Sequence, residues 1–197
     1  MSNLSDILIK HSEKKELIDF LKSHYVINRE EIDDDIQLLK YFDKNRDTRT
    51  FVIHQDKNNE WTQVEYELGE STESLKEFDD WILEFTKRFK TKAIIAYEQT
   101  SSAACRFAYF ENGRLIRSII QTYFIPESKI RLTENIGEKF DFEIYKYATP
   151  INEEIDYDEL LSYYDDFQVW LKKLGFEWKK EFGNYYDYTH LEIIKEK

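Results

Sequence analysis

Apolar and polar positions alternate most regularly across residues 93–124, and the rest of the chain reads outward from that stretch. Asn112-Gly113 sits between two runs rich in aromatic and β-branched residues. Both turn residues tolerate positive φ, as a two-residue type I′ hairpin turn requires. Counting back from the turn pairs Glu111 with Arg114, Phe110 with Leu115, Tyr109 with Ile116, Ala108 with Arg117, Arg106 with Ile119 and Cys105 with Ile120. Period-two alternation then sends Cys105, Phe107, Tyr109, Ile116 and Ile120 to one face, read as core. Arg106 and Arg117 fall on the opposite face as diagonal neighbours, with Gln121 nearby. The run AIIAY at 93–97 has no polar interruption and predicts a strand buried on both faces.

Upstream, Ser12 is positioned to cap a helix carrying Leu17, Phe20 and Leu21. Asn28 with Glu31 has capping-box spacing and predicts a second helix with Ile32, Ile36, Leu39 and Phe42 on one face. Residues 51–55 and 61–68 predict strands around the turn DKNN, with Val64, Tyr66 and Leu68 inward. Ser74-x-x-Glu77 opens a strongly amphipathic helix through Leu75, Phe78, Ile82, Phe85 and Phe89, widened by Trp81 and ending among basic residues.

Past the hairpin, 129–132 predicts a short strand and 140–147 an alternating one. Residues 156–174 predict a helix with Leu160, Tyr164, Phe167, Leu171 and Leu174 on one face, capped at Gly175. The tail, split by Gly183-Asn184, predicts a terminal hairpin. Adjacent strands joined by tight turns imply an α+β fold: a mainly antiparallel β-sheet with amphipathic helices packed against it. The expected organisation is a single domain, 1–197, with a helical N-terminal segment (1–45), a sheet-helix core (50–147) and a C-terminal helix and hairpin (151–197).

Composition sharpens this picture. Aromatic residues make up 16% of the 197 positions, which argues for a packed core despite 35% charged residues. The net charge of −12 disfavours nucleic-acid backbones and anionic membranes and favours a basic partner. The single cysteine excludes an internal disulfide. No leader and no apolar run long enough for a membrane span is visible, so a cytoplasmic location is expected.

Candidate chemistry is sparse, and neither a catalytic residue nor a cofactor or metal site is expected. Cys105 reads as a buried, inert thiol. His11, His24, His54 and His190 form no metal-ligand spacing and read as surface histidines. The acidic runs from Asp43 and Asp56 superficially resemble calcium loops, but Thr48 and Trp61 stand where the glycine is needed. No phosphate-binding glycine loop occurs. Arg106 and Arg117 form a possible anion site, or else pair with acids from a covering element. Residues 153–166 (EEIDYDELLSYYDD) hold seven acids and no base. Glu153, Glu154, Asp156, Tyr157, Asp158, Glu159, Tyr163 and Tyr164 there form the candidate partner-binding surface, acids steering the encounter and tyrosines anchoring it.

The runs WTQVEYEL (61–68), KAIIAYEQT (92–100), RFAYFENGRLIRSI (106–119) and GEKFDFE (137–143), with the helix between the first two, resemble a pattern of small uncharacterised bacterial α+β proteins of immunity-protein type. The resemblance covers residues 51–143 and rests on turn and core positions. It implies this architecture more than an activity and brings no catalytic residues; the negative charge, the acidic tyrosine-bearing segment and the absence of catalytic motifs add the expectation of a non-enzymatic binding protein, an immunity protein that neutralises a basic toxin. Two other readings stay open: a ligand-binding or enzymatic domain using Arg106 and Arg117, and a structural protein dimerising through its aromatic C-terminal hairpin.

Overall fold

The structure, a computed structural model, describes residues 3–33, 48–55, 60–66, 68, 71–124, 127–143, 150–176 and 188–194. The elements in chain order are β1 (Asn3–Ile9), α1 (Lys14–His24), β2 (Ile27–Asp33), β3 (Thr48–His54), β4 (Thr62–Glu65), a 3-10 turn (Ser74–Lys76) and α2 (Asp79–Phe89). Then come β5 (Lys92–Gln99), β6 (Ala104–Glu111), β7 (Arg114–Phe124), β8 (Lys129–Ile136), a 3-10 turn (Tyr157–Glu159), a π-helical segment (Tyr163–Phe167), α3 (Gln168–Lys173) and β9 (Tyr188–Ile194). The pairs β1–β4, β2–β9, β3–β4, β3–β9, β5–β6, β6–β7 and β7–β8 are antiparallel, and helices pack on the strands, so the fold is α+β and mainly sheet. The chain divides into two compact units: Leu68–Glu177 with Met1–Ser5, and Asp6–Glu67 with Trp178–Lys197.

In the first unit, strands run in the order β5-β6-β7-β8. Ala93 to Tyr97 are all buried, as an uninterrupted apolar run requires. Asn112 and Gly113 both adopt positive φ, at 51° and 77°, which makes the tight turn. A Cβ on Gly113 would lie 2.5 Å from the Lys87 Cβ, so the turn lies directly against α2. That helix buries Trp81, Ile82, Phe85 and Thr86 on the strands, and Lys90 ends it in the left-handed conformation.

The hairpin register departs from simple counting. Phe110 faces Leu115 and Glu111 faces Arg114, as the turn dictates, but Tyr109 then faces Arg117 instead of Ile116. Ile116 is the extra residue of a β-bulge, and beyond it Arg106 faces Ile120 and Cys105 faces Gln121. One residue of slip moves every later β7 side chain to the other face. Arg117 therefore joins Cys105, Phe107 and Tyr109, while Ile120 joins Arg106. Gly137 accommodates the bulge: it has φ +84°, and a Cβ there would stand 2.0 Å from the Ile116 carbonyl oxygen.

In the second unit the order is β2-β9-β3-β4-β1. Helix α1 packs on β3 through a face of Leu17, Ile18, Phe20 and Leu21. Glu13 rather than Ser12 occupies its N-cap position, and the Glu13 side chain makes no capping hydrogen bond. The expected helix at Asn28 is instead strand β2, paired with β9 from Ile27 to Asp33. Long-range pairing overrides the local capping-box signal there; Ile36, Leu39 and Phe42 lie outside the described residues. Strand β9 is flanked by β2 and β3, so half of the predicted terminal hairpin is an interior strand of this unit. The other half, with Gly183-Asn184, lies outside the described residues, as do the turn at 56–59 and the end of the predicted strand at 140–147. Phe140 to Glu143, where that strand was expected to start, form a turn with Glu143 N–H donating to the Phe140 carbonyl at 2.9 Å.

Candidate functional site

Both arginines of the hairpin are fully buried, and they lie on opposite faces of the β5–β8 sheet. Arg106 points beneath α2. Its Nη1 and Nη2 donate to Asp79 Oδ1 and Oδ2 at 2.6 and 2.7 Å, and Nη1 also donates to the Leu75 carbonyl. Asp79 belongs to the first turn of α2, where the helix dipole already favours a carboxylate. Tyr97, opposite Arg106 on β5, donates its hydroxyl to the Leu68 carbonyl at 2.9 Å.

Arg117 is held on the other face. Its Nε and Nη2 donate to Glu143 at 2.7–3.2 Å, and Nη1 donates to Asn135 Oδ1 and the Ile136 carbonyl, both at 2.7 Å. The Phe140 N–H donates to the same Glu143 carboxylate at 3.1 Å. Neither side chain of this ion pair is exposed at all. Around it, Tyr109 meets Phe140 edge-on, and Phe107 packs against Phe167 and Trp170. Burial, with a smaller contribution from the Glu111 carboxylate, pushes the Tyr109 hydroxyl up to about 12. The structure thus does not bring Arg106 and Arg117 together. Each fork is engaged by a carboxylate, the arrangement that stabilises a buried guanidinium.

The acidic segment runs along β8. Ile155 N–H donates to the Ile130 carbonyl at 2.9 Å and Asn152 N–H to the Leu132 carbonyl at 2.8 Å, covering part of that strand's outer edge. Glu153, Glu154, Asp156 and Asp158 are exposed and Glu159 is half-buried; the Tyr157 side chain lies outside the described residues. Glu154 accepts from Lys129 Nζ at 2.6 Å. The expected continuous helix over 156–174 is broken into the 3-10 turn, the π segment and α3. Side chains from the sheet decide where it restarts. Gln121 Oε1 accepts from Leu161 N–H at 3.0 Å, and Glu98 Oε2 accepts from Tyr163 N–H at 2.5 Å. Ser162 then caps the segment by accepting from Asp165 N–H.

That restart rotates the buried stripe. Leu161, Tyr163, Phe167, Trp170 and Leu171 face inward, not Leu160 and Tyr164. Tyr163 is a core residue, whereas Tyr164 is 61% exposed.

Cys105 is buried. The histidines divide: His11 and His24 are partly exposed, but His54 and His190 are buried, contrary to the reading of all four as surface residues. The pairings β9-β3-β4-β1 put His190, Tyr188, His54, Gln63 and Glu65 on one face of the second unit's sheet. His54 Nε2 lies 3.1 Å from Glu65 Oε1, the His54 ring lies 5.1 Å from Tyr188, and Gln63 donates to Asp6. The alternation Tyr188-x-His190 and Gln63-x-Glu65 was visible in the sequence, but only strand order brings these residues together. Among the described residues, no group of three or more His, Cys, Asp or Glu is placed to hold a metal ion, and no helix is long and apolar enough to cross a membrane.

No family model, no curated protein and no solved structure matches the chain.

Proposed function

We propose that this chain is a non-catalytic, cytosolic binding protein that captures a basic protein partner, in the manner of an immunity protein that neutralises a toxin. The observation that supports the reading is the anchoring of the acidic segment. Backbone hydrogen bonds from Asn152 and Ile155 to β8 hold Glu153, Glu154 and Asp156 on an ordered backbone with their side chains exposed. Carboxylates presented this way steer a cationic surface into register, and little ordering entropy remains to be lost on binding. The net charge of −12 acts in the same direction at longer range. The two most buried cations, Arg106 and Arg117, are engaged in intramolecular carboxylate pairs, an arrangement that serves the fold.

The test is co-purification with a basic protein, beginning with the product of the neighbouring gene. The quadruple variant E153Q/E154Q/D156N/D158N should keep its fold and lose about tenfold or more in affinity at physiological salt, chiefly through a slower association rate. Capture of the same partner by the quadruple variant with unchanged affinity and unchanged salt dependence would sink the role of this surface.

A further inference from the structure

Strand β2 stands at one end of the second unit's order β2-β9-β3-β4-β1. After an irregularity at Asn28 it pairs residue by residue with β9 from Arg29 to Asp33. Among the described residues, no second strand pairs with Glu30, Glu31 or Ile32. An antiparallel strand with one neighbour turns alternate N–H and C=O groups away from that neighbour, so the outer edge of β2 is a main-chain template. The first unit treats its β8 edge differently, covering part of it with Asn152 and Ile155. Proline and lysine are common means of blunting an edge strand, and residues 27–33 contain neither.

The side chains along this edge say what kind of strand it accepts. Alternation puts Glu30 and Ile32 on the face that carries α1, where Lys22 Nζ donates to Glu30 at 2.9 Å. Arg29 and Glu31 lie on the other face, with Arg29 Nε 3.2 Å from Glu31 Oε1. Ile32 is 71% exposed, and Val26 just before the strand is 64% exposed, the two highest values among the described large apolar side chains. Five of the six residues from 30 to 35 are acids, so the edge stays negative after Lys22 and Arg29 are counted. That sign guards the edge against a second copy of itself, because two net negative strands would be brought together. The same sign favours a strand rich in Lys or Arg. We propose that the outer edge of β2 is a strand-addition site for an extended basic segment of a protein partner. Main-chain hydrogen bonds to Arg29–Asp33 hold the added strand, with cations beside Glu30 and Glu31 and an apolar side chain beside Ile32. The proposal goes beyond capture by the acidic segment after Pro150 and does not depend on it, because β2 belongs to the other unit and binds through its backbone.

The test uses a capped, fluorescently labelled peptide of alternating Lys and Val, titrated with the full chain near physiological salt and read by anisotropy. The peptide should bind, and hydrogen exchange should show new protection at the amides of residues 29–33. A second peptide of the same sequence, N-methylated at every Val, keeps the charge and the side chains but cannot pair along that edge. It should bind the wild-type chain about tenfold or more weakly. E30K/E31K should weaken the first peptide by a similar factor. The variant E153Q/E154Q/D156N/D158N should bind it as the wild-type chain does, which separates this edge from the acidic segment. A wild-type chain that leaves the first peptide unbound at millimolar concentration overturns the proposal. Equal affinity for the N-methylated peptide does so too, since charge alone would then explain the binding. Exchange protection that bypasses β2, or loss of binding in the quadruple variant, overturns it as well by placing the peptide elsewhere.

Discussion

The two faces of the β5–β8 sheet each bury an arginine from the same hairpin, but they hold it by different means. Beneath α2, Arg106 meets Asp79 from the first turn of a regular helix, and the Asp79 side chain keeps 16% of its surface exposed. On the opposite face, Arg117 meets Glu143 from an irregular turn, and neither side chain touches solvent. The Arg117 side also recruits Asn135 and the Ile136 carbonyl from β8. The first pair needs only a helix to lie across a sheet. The second needs a bulge at Ile116, a glycine at 137 and a turn at 140–143, all in register. A buried charge that is more completely removed from water depends more heavily on its full set of partners.

That difference can be broken by substitution. E143Q leaves the Arg117 guanidinium buried without its counter-charge and should cost about 3–5 kcal/mol of unfolding free energy in a denaturant titration. G137A attacks the same side through the backbone. A Cβ there meets the Ile116 carbonyl, so the bulge must shift or the left-handed residue must strain, at a cost of about 2–4 kcal/mol. D79N should cost less, about 2–3 kcal/mol, because Asp79 is partly solvated and Arg106 keeps the Leu75 carbonyl. A D79N loss exceeding that of E143Q would invert the ranking of the two faces.

The smallest effect concerns pH. With Tyr109 raised from 10.0 to about 12 in the folded chain, the unfolded chain releases this proton first as pH rises. The hydroxyl's contribution to stability is therefore intact below about 10 and lost between about 10 and about 12. Y109F should unfold less steeply with pH than the wild-type chain across that window and differ little from it at neutral pH. An identical alkaline profile for both would show that the hydroxyl is not desolvated by the Phe140 side of the sheet.

Local pattern carried a large part of this architecture. Asn112-Gly113 specified the turn because its conformational demand is met by those two residues themselves. The stripe of α2 and the buried run at 93–97 specified their elements for the same reason: burial follows from period alone. The readings that failed were those needing a distant partner. Asn28 to Asp33 has helical capping signals and becomes a strand because β9, some 160 residues away, pairs with it. The helix expected from Asp156 starts at Tyr163, where two side chains of the sheet hold the chain: Glu98 accepts from the Tyr163 N–H and Gln121 from the Leu161 N–H just before it. Those bonds moved Tyr163 inward and left Tyr164 outside, and so decided which tyrosine of the candidate surface can meet a partner.

By itself, the sequence determined the α+β class, the hairpin at Asn112-Gly113, the buried placement of Cys105 and the acidic run after Pro150. Each of these follows from spacing, turn chemistry or charge within a short window. Tertiary structure alone decided the fate of the two arginines. Counting from the turn placed them side by side; one extra residue at Ile116 put them on opposite faces, each clamped by its own carboxylate. A bulge is stabilised by what lies across it, here Gly137 and Glu143, and those residues lie more than twenty positions away along the chain.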